Sequence, residues 1–101
     1  MVVISKTVLN KFIERRKDSR DAMLEWYRVV KNADWSKFAD MKQTFSDADA
    51  AGNDRYVFNI MWNRYRIVCI IHFDVRTLYI AFIGTHKEYD KIEVSQVKYK
   101  K

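Results

Sequence analysis

The chain is poor in the residues that several familiar catalytic motifs require. Two glycines in 101 residues leave no Gly-rich loop to cradle a nucleotide phosphate. A single cysteine excludes an internal disulfide framework. Cys69 lies inside an apolar run, where it reads as a small buried hydrophobe in keeping with a reducing cytoplasm. Of the two histidines, His72 falls on the opposite strand face from Cys69 and His86 lies far from both, so no metal site is expected. No serine stands in the setting of a Ser-His-Asp nucleophile. No apolar run approaches the roughly 18 residues of a membrane span, and the N-terminus lacks the apolar stretch of a signal peptide. The expectation is a cytoplasmic protein with no cofactor and no membrane partner.

Bulk composition is more generous. With 49% apolar and 15% aromatic residues, residues 1–101 can bury one core as a single domain. Lys and Arg number 19 against 13 acidic residues, a net charge of +6. That balance favours nucleic acid or an acidic partner without choosing between them.

Val2–Ile4 is a brief β-rich run, followed by Ser5 as a helix N-cap candidate. From Lys6 to about Lys17, Leu9, Phe12 and Ile13 recur at helical spacing, with Arg16 at the edge of their stripe. Asp18 or Ser19 starts a second helix whose Met23, Trp26, Tyr27 and Val30 should cover a sheet. Trp35, Phe38, Met41 and Phe45 anchor one or two further helical turns. Ser46 to Asp54, with Gly52-Asn53, reads as a loop. A basic tail, mobile at its end, is expected from about residue 94.

Three consecutive strands follow, and they organise the rest. Alternation along the central one puts Tyr65, Ile67, Cys69, Ile71 and Phe73 on a core face, with Arg64, Arg66, Val68, Ile70 and His72 on the other. Matching apolar sets pairs Tyr65 with Ile60, Ile67 with Phe58 and Cys69 with Tyr56 across a turn at Trp62-Asn63. Such a turn asks for φ > 0, which Trp tolerates badly. On the other side, Ile70 faces Ile80, Val68 faces Phe82, Arg66 faces Gly84 and Arg64 faces His86. A register shifted by one stays open. Gly84 should leave space above Arg66. Either register gathers Arg64, Arg66, His86, Lys87 and Tyr89 at one sheet edge, with Asn59 adjacent.

RNA cleaves when its 2′-hydroxyl attacks the neighbouring phosphate. A catalyst moves protons and stabilises the added phosphate charge. Arg offers a planar fork for phosphate, Lys a point charge and His a group titrating near neutrality. Tyr stacks on a base or donates its hydroxyl. Bland readings stand beside this: Arg64 and Arg66 paired with Glu88 or Asp90, His86 a solvated strand end, Tyr89 a lid over Phe82 and His72 a structural residue.

Lys42-Gln-Thr-Phe45, Val57-Phe-Asn-Ile60, Asn63-Arg-Tyr-Arg66-Ile-Val68 and Gly84-Thr-His86-Lys-Glu-Tyr89-Asp90 together resemble the HigB-type toxins of bacterial toxin–antitoxin modules, within the RelE-like superfamily. The likeness runs along nearly the whole chain. It implies an α+β fold of the RelE-like kind, with N-terminal helices packed on a mostly antiparallel twisted sheet of about four strands. It implies a metal-independent endoribonuclease, an mRNA interferase, cutting mRNA on the ribosome. The partner would be a HigA-type antitoxin with a helix-turn-helix domain, through which the pair reaches operator DNA. By matching motif, Arg66, His86, Tyr89 and Lys42 are catalytic candidates. Arg64, Lys87, Asn59 and Trp62 are candidates for RNA binding. Trp62 departs from the family, which commonly has Gly there, and Ser46 stands where Pro is common. Alternatives of other classes are a non-catalytic, gyrase-inhibiting toxin on the same scaffold and a plain RNA-binding domain.

Overall fold

The computed structural model describes residues 1–99. Among them are five strands: β1 (Val2–Ile4), β2 (Asp49–Gly52), β3 (Arg55–Ile60), β4 (Tyr65–His72) and β5 (Thr77–Thr85). Three helices, α1 (Lys6–Arg15), α2 (Arg20–Asn32) and α3 (Phe38–Thr44), precede β2, and a short α4 (His86–Asp90) follows β5. The sheet order is β1-β5-β4-β3-β2, antiparallel except where β1 runs parallel to β5. This is an α+β, RelE-like arrangement with one strand more than expected. The additional strand comes from the segment read as a loop: Asp49 pairs with Val57 and Ala50 with Tyr56 at the sheet edge. Its short, mostly exposed Asp-Ala-Ala-Gly sequence carries no β signal of its own, and β3 templates it.

One layer of helices covers one sheet face. Leu9, Phe12, Met23, Trp26, Val30, Trp35 and Met41 bury against Phe58, Ile67, Cys69, Ile71, Leu78 and Ile80. Phe58 is the hub, with ring centroids 5.3 Å from Trp26 and 5.2 Å from Phe45, both edge-on. Burial pushes the Cys69 thiol well up, so it stays a neutral hydrophobe. Neither predicted N-cap side chain caps its helix. Ser5 sits at the right position with φ 78°, and its hydroxyl instead shares a 2.6 Å hydrogen bond with the Tyr99 hydroxyl. Ser19 donates to the Arg16 carbonyl. α1 ends at Arg15, earlier than expected.

The β3–β4 register is the one that apolar matching chose: Ile60 opposite Tyr65, Phe58 opposite Ile67, Tyr56 opposite Cys69. β4 and β5 contain both registers considered. Arg66 faces Gly84 and Val68 faces Phe82, but Ile70 faces Tyr79 because the register shifts beyond Val68. The unpaired residue there is Ala81. A bulge at this point re-aims the strand. Strict alternation from Leu78 and Ile80 would turn Ile83 outward. The extra residue returns it to the core.

The second face is not left open. Val57 and Val68 are buried on it, and the segment after α4 runs back across it. Val97 accepts from Arg55 Nε at 3.0 Å, Ser95 accepts from Asn53, and the Tyr99 ring lies 5.1 Å from that of Tyr79. The tail expected from about residue 94 is therefore docked as far as Tyr99; Lys100 and Lys101 lie outside the described residues. His72 sits exposed at its strand end, its ring 6.0 Å edge-on from that of Tyr79 and Nδ1 3.9 Å from Asp54 Oδ2.

Candidate active site

α4 is the piece on which the candidate residues converge. It is only five residues long, and a capping box starts it. Thr85 Oγ1 accepts from the Glu88 amide at 3.2 Å, while Glu88 Oε1 accepts from the Thr85 amide at 2.8 Å. Glu88 also meets Arg15 of α1 at 3.2 Å. The Thr85 amide first, and then Arg15, hold its carboxyl down at about 2. α4 is thus tied to both β5 and α1, which fixes where its side chains point.

Arg66 projects from β4 against this helix. Its guanidinium lies 5.3 Å from the centroid of the Tyr89 ring, and Nη1 donates to Asn63 Oδ1 at 3.3 Å. Neither Glu88 nor Asp90 pairs with it, and among the described residues no carboxylate lies within ion-pair distance. A half-buried guanidinium with its fork uncommitted to an acid is suited to a phosphate. The gap expected above it is filled: a Cβ on Gly84 would lie 2.5 Å from Phe82 Cζ, so Gly84 admits the Phe82 ring. Asn59 is the register partner of Arg66, but its amide donates to Asp47.

His86 is the first residue of α4 and not a strand residue. Its amide donates to the Arg64 carbonyl at 3.2 Å, so the expected Arg64–His86 pairing survives in the backbone. Nδ1 lies 3.0 Å from Asp90 Oδ2, one helical turn on. With half its side chain exposed, His86 lines an open cleft of about 480 Å³ with Arg16, Asp18, Arg64, Tyr65, Thr85 and Lys87.

Arg64 does not share a face with Arg66. It lies before β4 and turns to the helical side, donating to Asp18 Oδ2 at 2.9 Å. The Tyr65 hydroxyl donates to the same carboxylate at 2.7 Å and, with Arg64, holds it below the usual range. Lys42 stands apart: Nζ donates to the carbonyls of Ser46 and Ala48 at 2.6 and 2.9 Å, closing the loop between α3 and β2. Trp62 is 93% exposed at the β3–β4 tip. The structure therefore joins Arg66 with Tyr89, and His86 with Lys87 and Arg64 around one cleft, with His86 and Tyr89 three residues apart on α4. Lys42 and Asn59 meet through the loop containing Asp47.

Asn63, Asp90, Arg16 and Asp18 also stand at the site, without having been expected there from the sequence. Asp90 was within reach, since His86 and Asp90 have i, i+4 spacing and Thr85-x-x-Glu88 is a helix-start signature. Asp18 and Arg16 come from a connection whose fold-back no local pattern encodes. Among the described residues no group of three or more His, Cys, Asp or Glu is placed to hold a metal ion. No helix among them is long and apolar enough to cross a membrane.

A layer of helices over a RelE-like sheet, with basic and titratable side chains around one short helix, defines a class. Within it, the family model described as HigB_toxin, RelE-like toxic component of a toxin-antitoxin system, matches residues 19–92. The mRNA interferase HigB of Escherichia coli O6:H1 is 29% identical over 94 residues, covering 91% of this chain and 91% of that protein. The mRNA interferase toxin HigB of Escherichia coli K12 and the mRNA interferase HigB of Shigella flexneri are each 26% identical over 92 residues, 89% of this chain and 88% of theirs. The chain belongs to the HigB toxin family, the RelE-like toxic components of toxin–antitoxin systems.

Proposed function

We propose that this toxin is an mRNA interferase, a metal-independent endoribonuclease that acts in the cytoplasm on mRNA engaged by the ribosome. The observation that carries the reading is the Arg66 guanidinium, over the Tyr89 ring at 5.3 Å from its centroid and paired with no acid among the described residues. His86 lies on the same short helix as Tyr89, its Nδ1 3.0 Å from Asp90 Oδ2.

In the reaction the 2′-oxygen forms a bond to phosphorus and the bond from phosphorus to the 5′-oxygen breaks. The products are a 2′,3′-cyclic phosphate and a 5′-hydroxyl. Arg66 binds the non-bridging oxygens and offsets their growing charge. Tyr89 holds the guanidinium in plane beneath the phosphate and presents its hydroxyl to the nucleotide. One proton leaves the 2′-hydroxyl and one reaches the 5′-oxygen; His86 carries one of these transfers at Nε2. Lys87 and Arg64 attract neighbouring phosphates in the cleft. Lys42 and Asn59 act by setting the α3–β2 loop beside Arg66.

A helix-turn-helix antitoxin neutralises the toxin, and operator DNA is bound through that antitoxin. Expression without the antitoxin tests the reading. Translation should stop, and mRNA should be cut, with the intact protein but not with Arg66→Ala. DNA damage in place of translation loss would point to a gyrase-directed toxin and end the proposal.

A further inference from the structure

The β3–β4 tip holds a feature the proposed chemistry leaves unused. Ile60 and Tyr65 are paired, the Arg64 amide donates to the Met61 carbonyl at 3.2 Å, and both Met61 (φ 52°) and Trp62 (φ 65°) lie in the left-handed region. Side chains with a Cβ occupy that region at a cost, and such outliers concentrate where a site needs them. Met61 packs against the core, but the strain at Trp62 secures no packing: its side chain is 93% exposed, whereas Trp26 and Trp35 are 2% and 3% exposed. An indole has been lifted into solvent on a pinned hairpin.

Its neighbours say what it would meet. The next residue, Asn63, holds the Arg66 guanidinium through Oδ1, and Arg64 follows. A protein partner needs a contiguous apolar patch, and the residues that follow Trp62 at this tip are polar or basic. An unpaired base suits the place, because every base offers a π-face while its phosphate meets arginine. Resting on the RNA-cleaving reading above, we infer that Trp62 is a stacking platform for the base beside the phosphate that Arg66 holds.

Fluorescence isolates this residue, since the other two indoles are buried. A short 2′-O-methyl oligoadenylate, which lacks the attacking hydroxyl, is titrated into the full chain. Emission accessible to acrylamide should be quenched by the oligonucleotide and shielded from acrylamide. Trp62→Ala should lower affinity about 5- to 150-fold, the range for one base stacked on an aromatic side chain, and Trp62→Phe should recover much of it. Wild-type protein that cleaves mRNA while its Trp62 emission ignores the oligonucleotide would overturn the platform and spare the nuclease. Quenching in a protein that cuts no mRNA would support the platform and remove the nuclease. Emission that responds to the antitoxin or a ribosomal protein but not to the oligonucleotide would overturn the inference.

Discussion

Replacing Glu88 by Gln removes one charge at the joint between β5 and the helix that carries His86 and Tyr89. Gln can still accept from the Thr85 amide, so the capping box survives while the pairing with Arg15 is lost. The wild-type carboxyl is held at about 2 against an ordinary 4.5. At face value that depression is worth roughly 3 kcal/mol. The side chain is 41% exposed, so solvent screening reduces the expected contribution to about 1 kcal/mol. For a domain of this size that is a melting shift of roughly 4–8 °C. The folded state lowers this carboxyl's pKa, so the stabilisation is complete above the unfolded value. It is lost as pH falls from 4.5 toward 2. Thermal melts followed by circular dichroism should therefore separate Glu88→Gln from wild type at pH 7 and bring them together toward pH 3. Equal melts at pH 7, or a gap unchanged down to pH 3, would refute the assignment of this charge to the joint.

Arg66→Ala should lower cleavage about 10²- to 10³-fold, as loss of a group facing developing charge does. Arg66→Lys should recover little, because an ammonium cannot reproduce a planar fork lying on Tyr89; single-turnover rates decide it. His86→Ala should cost about 10²- to 10⁴-fold in the same assay, and an undiminished rate would remove its proton-transfer role. Phe58→Ala, at the centre of the aromatic cluster, should cost about 3–5 kcal/mol in urea denaturation. A loss below 1 kcal/mol would mean the helices do not depend on that hub.

Much of the sheet was legible because period-two patterns and apolar matching leave few registers open. β3 and β4 pair as their apolar sets demanded, and Arg66 meets Gly84 as expected. β2 was not legible, since its strand character comes from a neighbour and not from its own residues. The bulge at Ala81 was hidden for a related reason: either register satisfies part of β5, and only packing of Ile83 requires both. Arg66, Tyr89 and His86 were expected together at one sheet end from residue type and register, and all three lie on or beside α4. Their partners were harder. Asn63 and Asp90 act through local geometry that appears once the turn and α4 are known, and Asp18 arrives from a long-range fold-back. The tail was expected to be mobile from its basic composition, yet backbone carbonyls and Tyr99, not its charges, dock it as far as Tyr99.

Arg66 and His86 are proposed to act on one phosphodiester. Purified protein incubated with ribosomes and end-labelled mRNA tests it most directly. Fragments ending in a 2′,3′-cyclic phosphate with 5′-hydroxyl partners should appear with wild type and be nearly absent with Arg66→Ala and with His86→Ala. Fragments formed at the wild-type rate by both variants, or RNA that is bound and left whole, would contradict it.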